Sequence, residues 1–296
     1  MIKKKVHITA LDGILIVVLL ATATYMVYRV TMAMNYHWNW AILPKYFFYY
    51  DEEKGRWVAN ILIEGLLTTI RLSIWATLLA ILLGTTVGIM RTSRRLLFRL
   101  ISRTYVELIR NIPPLVLVFI FYFFVSDQIM PLLGIEAYMR GRSPFTQGIV
   151  AALMAPTASL NTFLSGTMTV ALFQGAYITE IVRAGIQSIE KGQWEAAYAL
   201  GLSWWSQMRW VILPRAIRRV LPALTNEFIN TIKYSAIVSV ISIQELTFQG
   251  MQIMAATYLT MEVWLIITAI YLVMCLLLSM GVRRLEHRLA RSQGSI

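Results

Sequence analysis

The chain has 296 residues, of which 58% are hydrophobic and 14% are charged, and its mean hydropathy is +0.63. These values lie outside the range of an ordinary soluble domain and predict an all-α protein that crosses a membrane several times. The formal net charge of +12 would suit nucleic-acid binding, but the basic residues are spread among segments that flank apolar runs. We therefore exclude nucleic acid as a partner and expect membrane lipid around the chain.

The predicted spans follow from runs of about 20 mostly apolar residues, the length that crosses a bilayer. Residues 11–30 and 263–282 form the first and last of these runs. In the long apolar run 58–90, Arg71 and Arg91 lie about 30 Å apart along a helix, so 58–70 is expected to be a lead-in outside the bilayer or along its surface. Three further runs carry polar residues and bring the number of predicted spans to about six: 105–125, 163–182 and 223–243.

The basic residues set the predicted orientation of these spans. With Met1 inside, eighteen of the 27 lysines and arginines fall in inner segments and five fall in outer segments. This bias is the positive-inside pattern and places both termini in the cytoplasm. Lys3, Lys4 and Lys5 precede an apolar run that continues to Val30, which favours an uncleaved anchor over a signal peptide.

Motifs for catalysis are absent from the sequence. It contains no GxxxxGK[ST] phosphate loop, no HExxH zinc motif and no GxSxG nucleophile motif. The three histidines fall outside the predicted spans, and the single cysteine, Cys275, forms no disulfide framework. We therefore expect no catalytic residue, no metal site and no ATP hydrolysis in this chain. A protein of this kind moves a solute or holds a partner.

The stretch 192–217 is too polar to span a bilayer, and its helix-forming and capping residues argue against an irregular loop. A helix over 194–200 is predicted to end at Gly201, a residue suited to the left-handed turn after a helix. Ser203 is predicted to cap a second short helix, which Pro214 stops or bends. Such a helix pair could rest in the lipid headgroups or dock into another protein, and its pattern alone leaves both interpretations open.

The same stretch resembles the EAA motif of the permease subunits of ABC transporters (type I importers). The residues that carry the resemblance are Glu195, Ala196, Ala197, Gly201, Leu213 and Pro214, with Val211 in place of the usual isoleucine. Neighbouring segments are similar to those of the polar amino acid (His/Glu/Gln/Arg) permeases: GLLTTIRLS from Gly65, ELIRNIPPLVLVF from Glu107 and LPALTNEF from Leu221. The resemblance covers about residues 60–285.

This resemblance implies a helical permease of a bacterial inner membrane, with a cytoplasmic coupling helix between the fourth and fifth spans. It implies a subunit that carries polar amino acids and pairs with an identical or sister permease. Two cytoplasmic ATPase subunits would use ATP and Mg, an extracytoplasmic amino-acid-binding protein would deliver the substrate, and this chain would bind no cofactor. The predicted divisions are an N-terminal anchor and outer segment (1–57), a permease domain (58–285) and a cytoplasmic tail (286–296).

Glu195 and Gly201 are expected to be central to the coupling helix. Glu195 is placed in the first turn, where the exposed N–H groups of a helix favour an acid. Gly201 is expected to have a positive φ, which lets the chain turn sharply toward the second helix.

Polar side chains inside the predicted spans are the candidates for substrate contact, since polar groups in lipid are costly unless they serve a pathway. They are Lys233, Glu180, Asn230, Thr68, Thr69 and Gln174, together with Asn226 and Glu227. Lys233 lies about 15 Å into the fifth span and is expected to meet a substrate carboxylate, unless it pairs with Glu227 or Glu107. Glu180 could instead pair with Arg183, one turn away. The segment from Lys233 lacks an acidic residue that family members often have, so the amino acid carried stays open.

Two local predictions concern the third span. Pro113 and Pro114 break its first turn, and the break either lines the pathway or simply starts a helix. Glu107 and Arg110 are three residues apart and are expected to pair on one helix face.

Two other classes of function are alternatives to an ABC permease. An ion-coupled secondary transporter would work alone and often has two repeated halves, but the EAA-like segment has no second copy. A membrane scaffold that transports nothing would need no polar residues inside its spans.

Overall fold

The computed structural model describes residues 10–33, 36–53, 55–124 and 128–293. Lys3, Lys4 and Lys5, which are part of the predicted inner segment, lie outside these residues, as do the last three residues of the predicted tail. The chain divides into two compact units, Met1–Ala41 and Ile42–Ile296. Within the described residues both units are mainly helical, in agreement with the all-α prediction.

The first unit contains helix α1 (Ala10–Ala33). Its apolar side chains from Leu11 to Leu20 are exposed over half of their surface or more, as in Leu19 with 68%. A helix that is apolar all round needs lipid or protein around it. The predicted span 11–30 lies within this helix.

A β-hairpin precedes the helical core of the second unit. Strands β1 (Phe48–Asp51) and β2 (Arg56–Ala59) pair antiparallel, with Phe48 opposite Ala59. Asn60 then starts the next helix, because its Oδ1 accepts from the Ile61 N–H at 2.8 Å while its Nδ2 donates to the Lys45 carbonyl at 2.7 Å.

Helix α2 (Ile61–Thr92) is continuous over 32 residues, about 48 Å. Residues 61–70 of the predicted lead-in are the first turns of this same helix, and their place outside the bilayer or along its surface stays a prediction. Hydropathy marks where lipid surrounds a helix, but the backbone hydrogen bonds of α2 pass Arg71 without interruption. Gly65 in these turns packs closely on the Leu246 backbone, which holds the early part of α2 in the core.

Helices α3 (Leu96–Asn111) and α4 (Pro114–Phe124) meet at a bend of 115°. The predicted span 105–125 is therefore bent between two helices, and its last residue lies outside the described chain. The predicted break at the two prolines is confirmed. Ile112 has extended backbone angles (φ −97°, ψ 137°), as expected before a proline, and Pro114 is the first residue of α4.

Three short helices connect α4 to the central helix of the fold: α5 (Met130–Leu133), α6 (Ile135–Arg140) and α7 (Pro144–Leu153). Helix α8 (Leu160–Gln187) follows after a bend of 53° and contains the whole predicted span 163–182.

Helices α2 and α8 pack closely against each other through small residues. A Cβ added to Gly84 would lie 2.7 Å from the Ile178 Cβ, and one added to Gly88 would lie 2.8 Å from Val182. Glycines four residues apart let two membrane helices approach at backbone distance, where van der Waals contact is strongest. The pair of helices α2 and α8 forms the centre of the core, where Ala80 and Ala171 are also buried.

The C-terminal half begins with α9 (Lys191–Ala199) and α10 (Trp204–Ser206), followed by a π-helical turn (Gln207–Ile212). Helix α11 (Leu213–Ser235) ends in a 3-10 helix (Ala236–Ile241), and α12 (Leu246–Thr257) and α13 (Thr260–Gln293) complete the fold. The predicted fifth span, 223–243, is thus displaced. Its helix starts ten residues earlier, and the α-helical part ends at Ser235.

Among the described helices, α2 and the Thr260–Arg284 part of α13 are long and apolar enough to cross a membrane alone. The number rises to four if the pair α3 and α4 and the pair α7 and α8 each count as one span. The last predicted span, 263–282, lies inside α13. Helix α11 carries several charged residues along its length, so its composition is less apolar than that of these candidate spans.

Candidate functional site

We call residues 191–214 the coupling segment. It follows the end of α8 and is exposed on one side, with Tyr198, Leu200 and Trp210 each exposed by 70% or more. Its other side is fixed to the core by Met208 and Ile212, which are completely buried. An apolar exposed surface on a rigid base is suited to contact with another protein or with lipid.

The turn inside the coupling segment has the predicted chemistry. Gly201 has a φ of +72°, as expected for the left-handed residue after a helix. The Leu202 N–H donates to the Ala197 carbonyl at 3.2 Å and the Gly201 N–H donates to the Tyr198 carbonyl at 2.9 Å, the two bonds of a Schellman motif. A Cβ on Gly201 would meet no atom within 4 Å, so its backbone conformation is what favours glycine there.

Glu195 is not in the first turn of its helix, contrary to prediction. Helix α9 starts at Lys191, three residues earlier than expected, with Glu190 as the N-cap residue. Glu195 is therefore the fifth helical residue, too far from the free N–H groups to cap them. Its carboxylate is exposed and forms no hydrogen bond or ion pair among the described residues. Ala196 is exposed beside it, and Ala197 is buried against the core.

The second helix of the coupling segment starts as predicted and ends differently. Ser203 is its N-cap, since its hydroxyl accepts from the Ser206 N–H at 3.3 Å. Pro214 does not stop it, because the π-helical turn before Leu213 carries the chain directly into α11. A proline cannot donate the usual hydrogen bond to the carbonyl four residues earlier, and a wider turn accommodates that loss. The segment is thus one short helix joined by a tight turn to the start of α11.

Lys233 lies on the exposed face of α11 and lines a groove of 720 Å³ between α11 and α13, together with Asn226. It forms no ion pair within the part of the chain that the structure describes. The alternative pairing with Glu227 or Glu107 is therefore not found. Glu107 binds Arg103 instead, with 2.6 Å between Oε1 and Nε.

The predicted pair of Glu107 with Arg110 is also wrong. Arg103 lies one turn before Glu107 on the same exposed face and takes its carboxylate. The Arg110 guanidinium lies over the ring of Tyr177, 5.3 Å from its centre, where a cation is attracted to the π face.

Three of the candidates, Gln174, Asn230 and Glu227, join a polar cluster in the core. With its amide nitrogen turned toward Glu227, Gln174 donates to Oε1 of that carboxylate at 3.0 Å and accepts from the Thr231 hydroxyl at 2.9 Å. Asn230 donates to Oε2 of Glu227 at 3.3 Å. Thr231 was not predicted, although its position four residues after Glu227 placed it on the same face. The cluster joins α8 to α11, which gives Gln174 a structural role.

Glu180 is held by two arginines. It pairs with Arg183 at 2.8 Å, as the alternative prediction had it, and also with Arg91 on α2. Arg91 was predicted only as an interfacial residue. This ion-pair network fixes the ends of α2 and α8 nearest the coupling segment.

The two threonines of α2 have different surroundings. Thr69 is completely buried, donates to the Glu245 carboxylate at 3.3 Å and accepts from the Leu246 N–H at 3.1 Å. Thr68 lines a cavity of 520 Å³ together with Arg71. The structure therefore does not bring the candidates into one site. Lys233 and Asn226 line one groove, Thr68 lines a separate cavity, and Thr69 bonds to the start of α12. The others lie in the polar cluster or the ion-pair network. Among the described residues no group of acidic, histidine or cysteine side chains could hold a metal ion.

Comparisons with known proteins agree with this architecture. Residues 77–291 match the family of the binding-protein-dependent transport system inner membrane component. The glutamine transport system permease protein GlnP of Escherichia coli (strain K12) is 35% identical over 229 residues, which are 77% of this chain and 93% of GlnP. The crystal structure of an amino acid ABC transporter with histidines is 35% identical and has a TM-score of 0.61, over 77% of this chain and 94% of that chain. An inward-facing structure of the MetNI methionine ABC transporter, 19% identical, shares the fold over 77% of this chain and 96% of that chain with a TM-score of 0.58.

The helical core and the exposed coupling segment define the membrane subunit of a transporter that works with separate ATPase subunits. This chain belongs to the family of binding-protein-dependent transport system inner membrane components, the permease subunits of ABC importers. It is a multi-pass inner-membrane protein, and a partner chain hydrolyses the ATP.

Proposed function

We propose that this permease imports a polar amino acid, with the coupling segment gripping the ATPase from the cytoplasm. The observation that carries the coupling role is the combination of an exposed apolar surface with a rigid base. Tyr198, Leu200 and Trp210 protrude, while Met208 and Ile212 are completely buried beneath them. A relative that is named for glutamine transport and a solved relative that is an amino acid ABC transporter support an amino acid as the substrate.

The proposed topology has six crossing segments, with both termini in the cytoplasm. They are α1, α2, the bent pair α3 and α4, α8, α11 and α13. In this arrangement the coupling segment lies between the fourth and fifth crossings, and the basic residues of the inner segments remain in the cytoplasm. Residues 1–57 would be an anchor and outer segment, 58–285 the permease domain and 286–296 a cytoplasmic tail.

The coupling segment is proposed to transmit motion because it is continuous with two crossing helices. Helix α9 follows α8 after three residues, and the π-helical turn runs into α11. Arg219 on α11 donates to the Ser188 carbonyl at the end of α8, which closes the base of the segment. Glu195, Ala196, Ala197, Gly201, Leu213 and Pro214 are the proposed coupling residues. A partner that pulls on this segment would move α8 and α11 together.

The proposed pathway lies between two permease subunits, identical or sister chains, and passes Lys233. An ammonium group that faces a groove without a carboxylate beside it is free to attract the carboxylate of an amino acid. An extracytoplasmic binding protein would deliver the substrate on the opposite side from the ATPase dimer, which uses ATP and Mg. No cofactor is proposed for this chain.

A crosslinking experiment tests the docking surface directly. In a chain whose single cysteine has been replaced (Cys275→Ser), a cysteine at Tyr198 labelled with benzophenone maleimide should crosslink to the ATPase subunit when irradiated. The control is a cysteine at Tyr138, which is similarly exposed but lies in α6 beside the first turn of α8, at the opposite end of that helix. Crosslinking of the ATPase to both positions, or to neither, would contradict the proposed surface.

A further inference from the structure

We propose that the cavity around Arg71 is an outer subsite that binds the amino acid by its two opposite charges, before it reaches the groove of Lys233. The proposal rests on amino acid import as the function. The cavity has a volume of 520 Å³, within the usual range for small-molecule sites. It is formed by the first turns of α2, the start of α8 and the segment that leads into α12.

The cavity contains one acid and one base on the same face of one helix. Glu64 and Arg71 are seven residues apart on α2, two turns and about 10.5 Å along the axis. Thr68 lies between them, and all three side chains line the cavity. Because helical side chains lean toward the N-terminus, Arg71 reaches back toward Thr68 and Glu64.

These two charges are free to bind a ligand. Within the part of the chain that the structure describes, neither the Glu64 carboxylate nor the Arg71 guanidinium forms a hydrogen bond or an ion pair. By contrast, the arginine at the far end of the same helix, Arg91, is paired with Glu180. Arg71 is half-buried and Glu64 is exposed, so both charged groups can be reached from the cavity by a charged ligand or by water.

A third polar group points to a ligand independently. Gln249 on α12 lines the same cavity and is only 7% exposed, yet its side-chain amide forms no hydrogen bond with any described residue. A polar group that opens onto a cavity and has no protein partner is available to a ligand or to water, which completes its hydrogen bonds. An amide can both donate to and accept from a polar amino-acid side chain.

The position of the cavity fits the side on which substrate arrives. It lies at the N-terminal ends of α2 and α8, whereas the coupling segment follows the C-terminal end of α8. A ligand with a carboxylate and an ammonium group on one carbon would present the first to Arg71 and the second to Glu64. The chemical class that satisfies both is a free zwitterionic α-amino acid.

Binding to the purified permease–ATPase complex, without the binding protein, tests this subsite. The probe is the radiolabelled member of a panel (glutamine, glutamate, histidine and arginine) that the transporter takes up best. Its α-methyl ester lacks the carboxylate charge, and its N-acetyl derivative lacks the ammonium charge. We expect each derivative to bind at least about tenfold more weakly than the amino acid, the loss expected for a charged hydrogen bond.

Variants of the two charged residues should separate their roles. Arg71→Met should weaken binding of the amino acid at least about tenfold and should reduce discrimination against the ester, while discrimination against the N-acetyl derivative remains. Glu64→Gln should show the opposite pattern, and Arg71→Lys should retain most of the preference for the carboxylate. Arg142→Met, which removes an exposed arginine outside the cavity, is the matched control and should bind as the unmodified chain does. Recovery of the ATPase with each variant shows that the complex has assembled.

Three outcomes are decisive. If assembled Arg71→Met binds the amino acid and rejects the ester as the unmodified complex does, the subsite is wrong. If the unmodified complex imports an amino acid but binds none without the binding protein, the subsite is also wrong, although the proposed function stands. If no amino acid is imported by the complete transporter, the proposed function fails and this inference fails with it.

Discussion

Replacing Gly201 by valine perturbs the coupling segment where its backbone excludes most side chains. A residue with a Cβ is strained by about 1–2 kcal/mol at the φ of +72°, and the strain of a β-branched residue such as valine is near the upper end of this range. No atom lies within 4 Å of the added Cβ, so the whole cost within this chain comes from the backbone. An energy of this size changes the ratio of two conformations by a factor of about 5–30. We expect a comparable fall in the affinity for the ATPase if the native turn is the form that docks.

The assay compares three quantities on one membrane preparation: abundance of the chain, recovery of the ATPase with it, and uptake of labelled amino acid. Gly201→Val should leave abundance unchanged because no proposed crossing contains this residue, while ATPase recovery and uptake fall. Gly201→Asp should do the same, with a smaller backbone strain and an added charge on the docking surface. The matched control is Gly192→Val, at a glycine in the first turn of α9 that has open space around it and no positive φ. Full ATPase recovery and full uptake with Gly201→Val would refute the reasoning.

Three further substitutions address the pathway and the core. Lys233→Met should abolish or alter uptake while ATPase recovery stays normal, and a loss of assembly would show that the lysine is structural. Glu180→Gln should destabilise the purified complex by about 2 kcal/mol, which is measured as a lower melting temperature. Glu107→Gln removes an exposed pair and should change the melting temperature little. Equal effects of the two substitutions would argue against the ion-pair network. Gly84→Val should destabilise the fold by about 1–3 kcal/mol, because the larger side chain overpacks against α8, and it should reduce the amount of folded chain. Gly148→Val, at a glycine in open space, is the control and should not reduce it. A normal yield of both variants would contradict the close helix contact.

Local backbone chemistry was predictable from the sequence. The left-handed turn at Gly201, the cap at Ser203 and the break at Pro113 all depend on a few neighbouring residues, and the structure confirms each of them. The position of Glu195 was wrong because α9 starts three residues earlier than its apolar pattern suggests. Lys191 and Gly192 extend the helix although neither is apolar.

Helix lengths were less predictable, for a physical reason. A hydropathy pattern shows which residues lipid can surround, but a helix continues wherever its hydrogen bonds are satisfied. For this reason α2 continues past Arg71 toward the hairpin, and α11 begins at Leu213 instead of 223.

The polar contacts inside the core depend on residues far apart in the sequence. Thr69 meets Glu245 across 176 positions, and Gln174 meets Thr231 across 57. A single sequence identifies such side chains as unusual in an apolar segment, and this is how Gln174 and Thr69 became candidates. A single sequence does not show which side chains on other helices these two residues contact, nor that Arg71 and Gln249 line one cavity.

Uptake into proteoliposomes tests the central claim most directly. The permease is reconstituted with its ATPase and with ATP in the lumen, and the binding protein and the labelled amino acid panel are added outside. The account predicts accumulation of at least one polar amino acid that requires both ATP and the ATPase, and none by the permease alone. Accumulation by the permease alone, driven by an ion gradient, would contradict it.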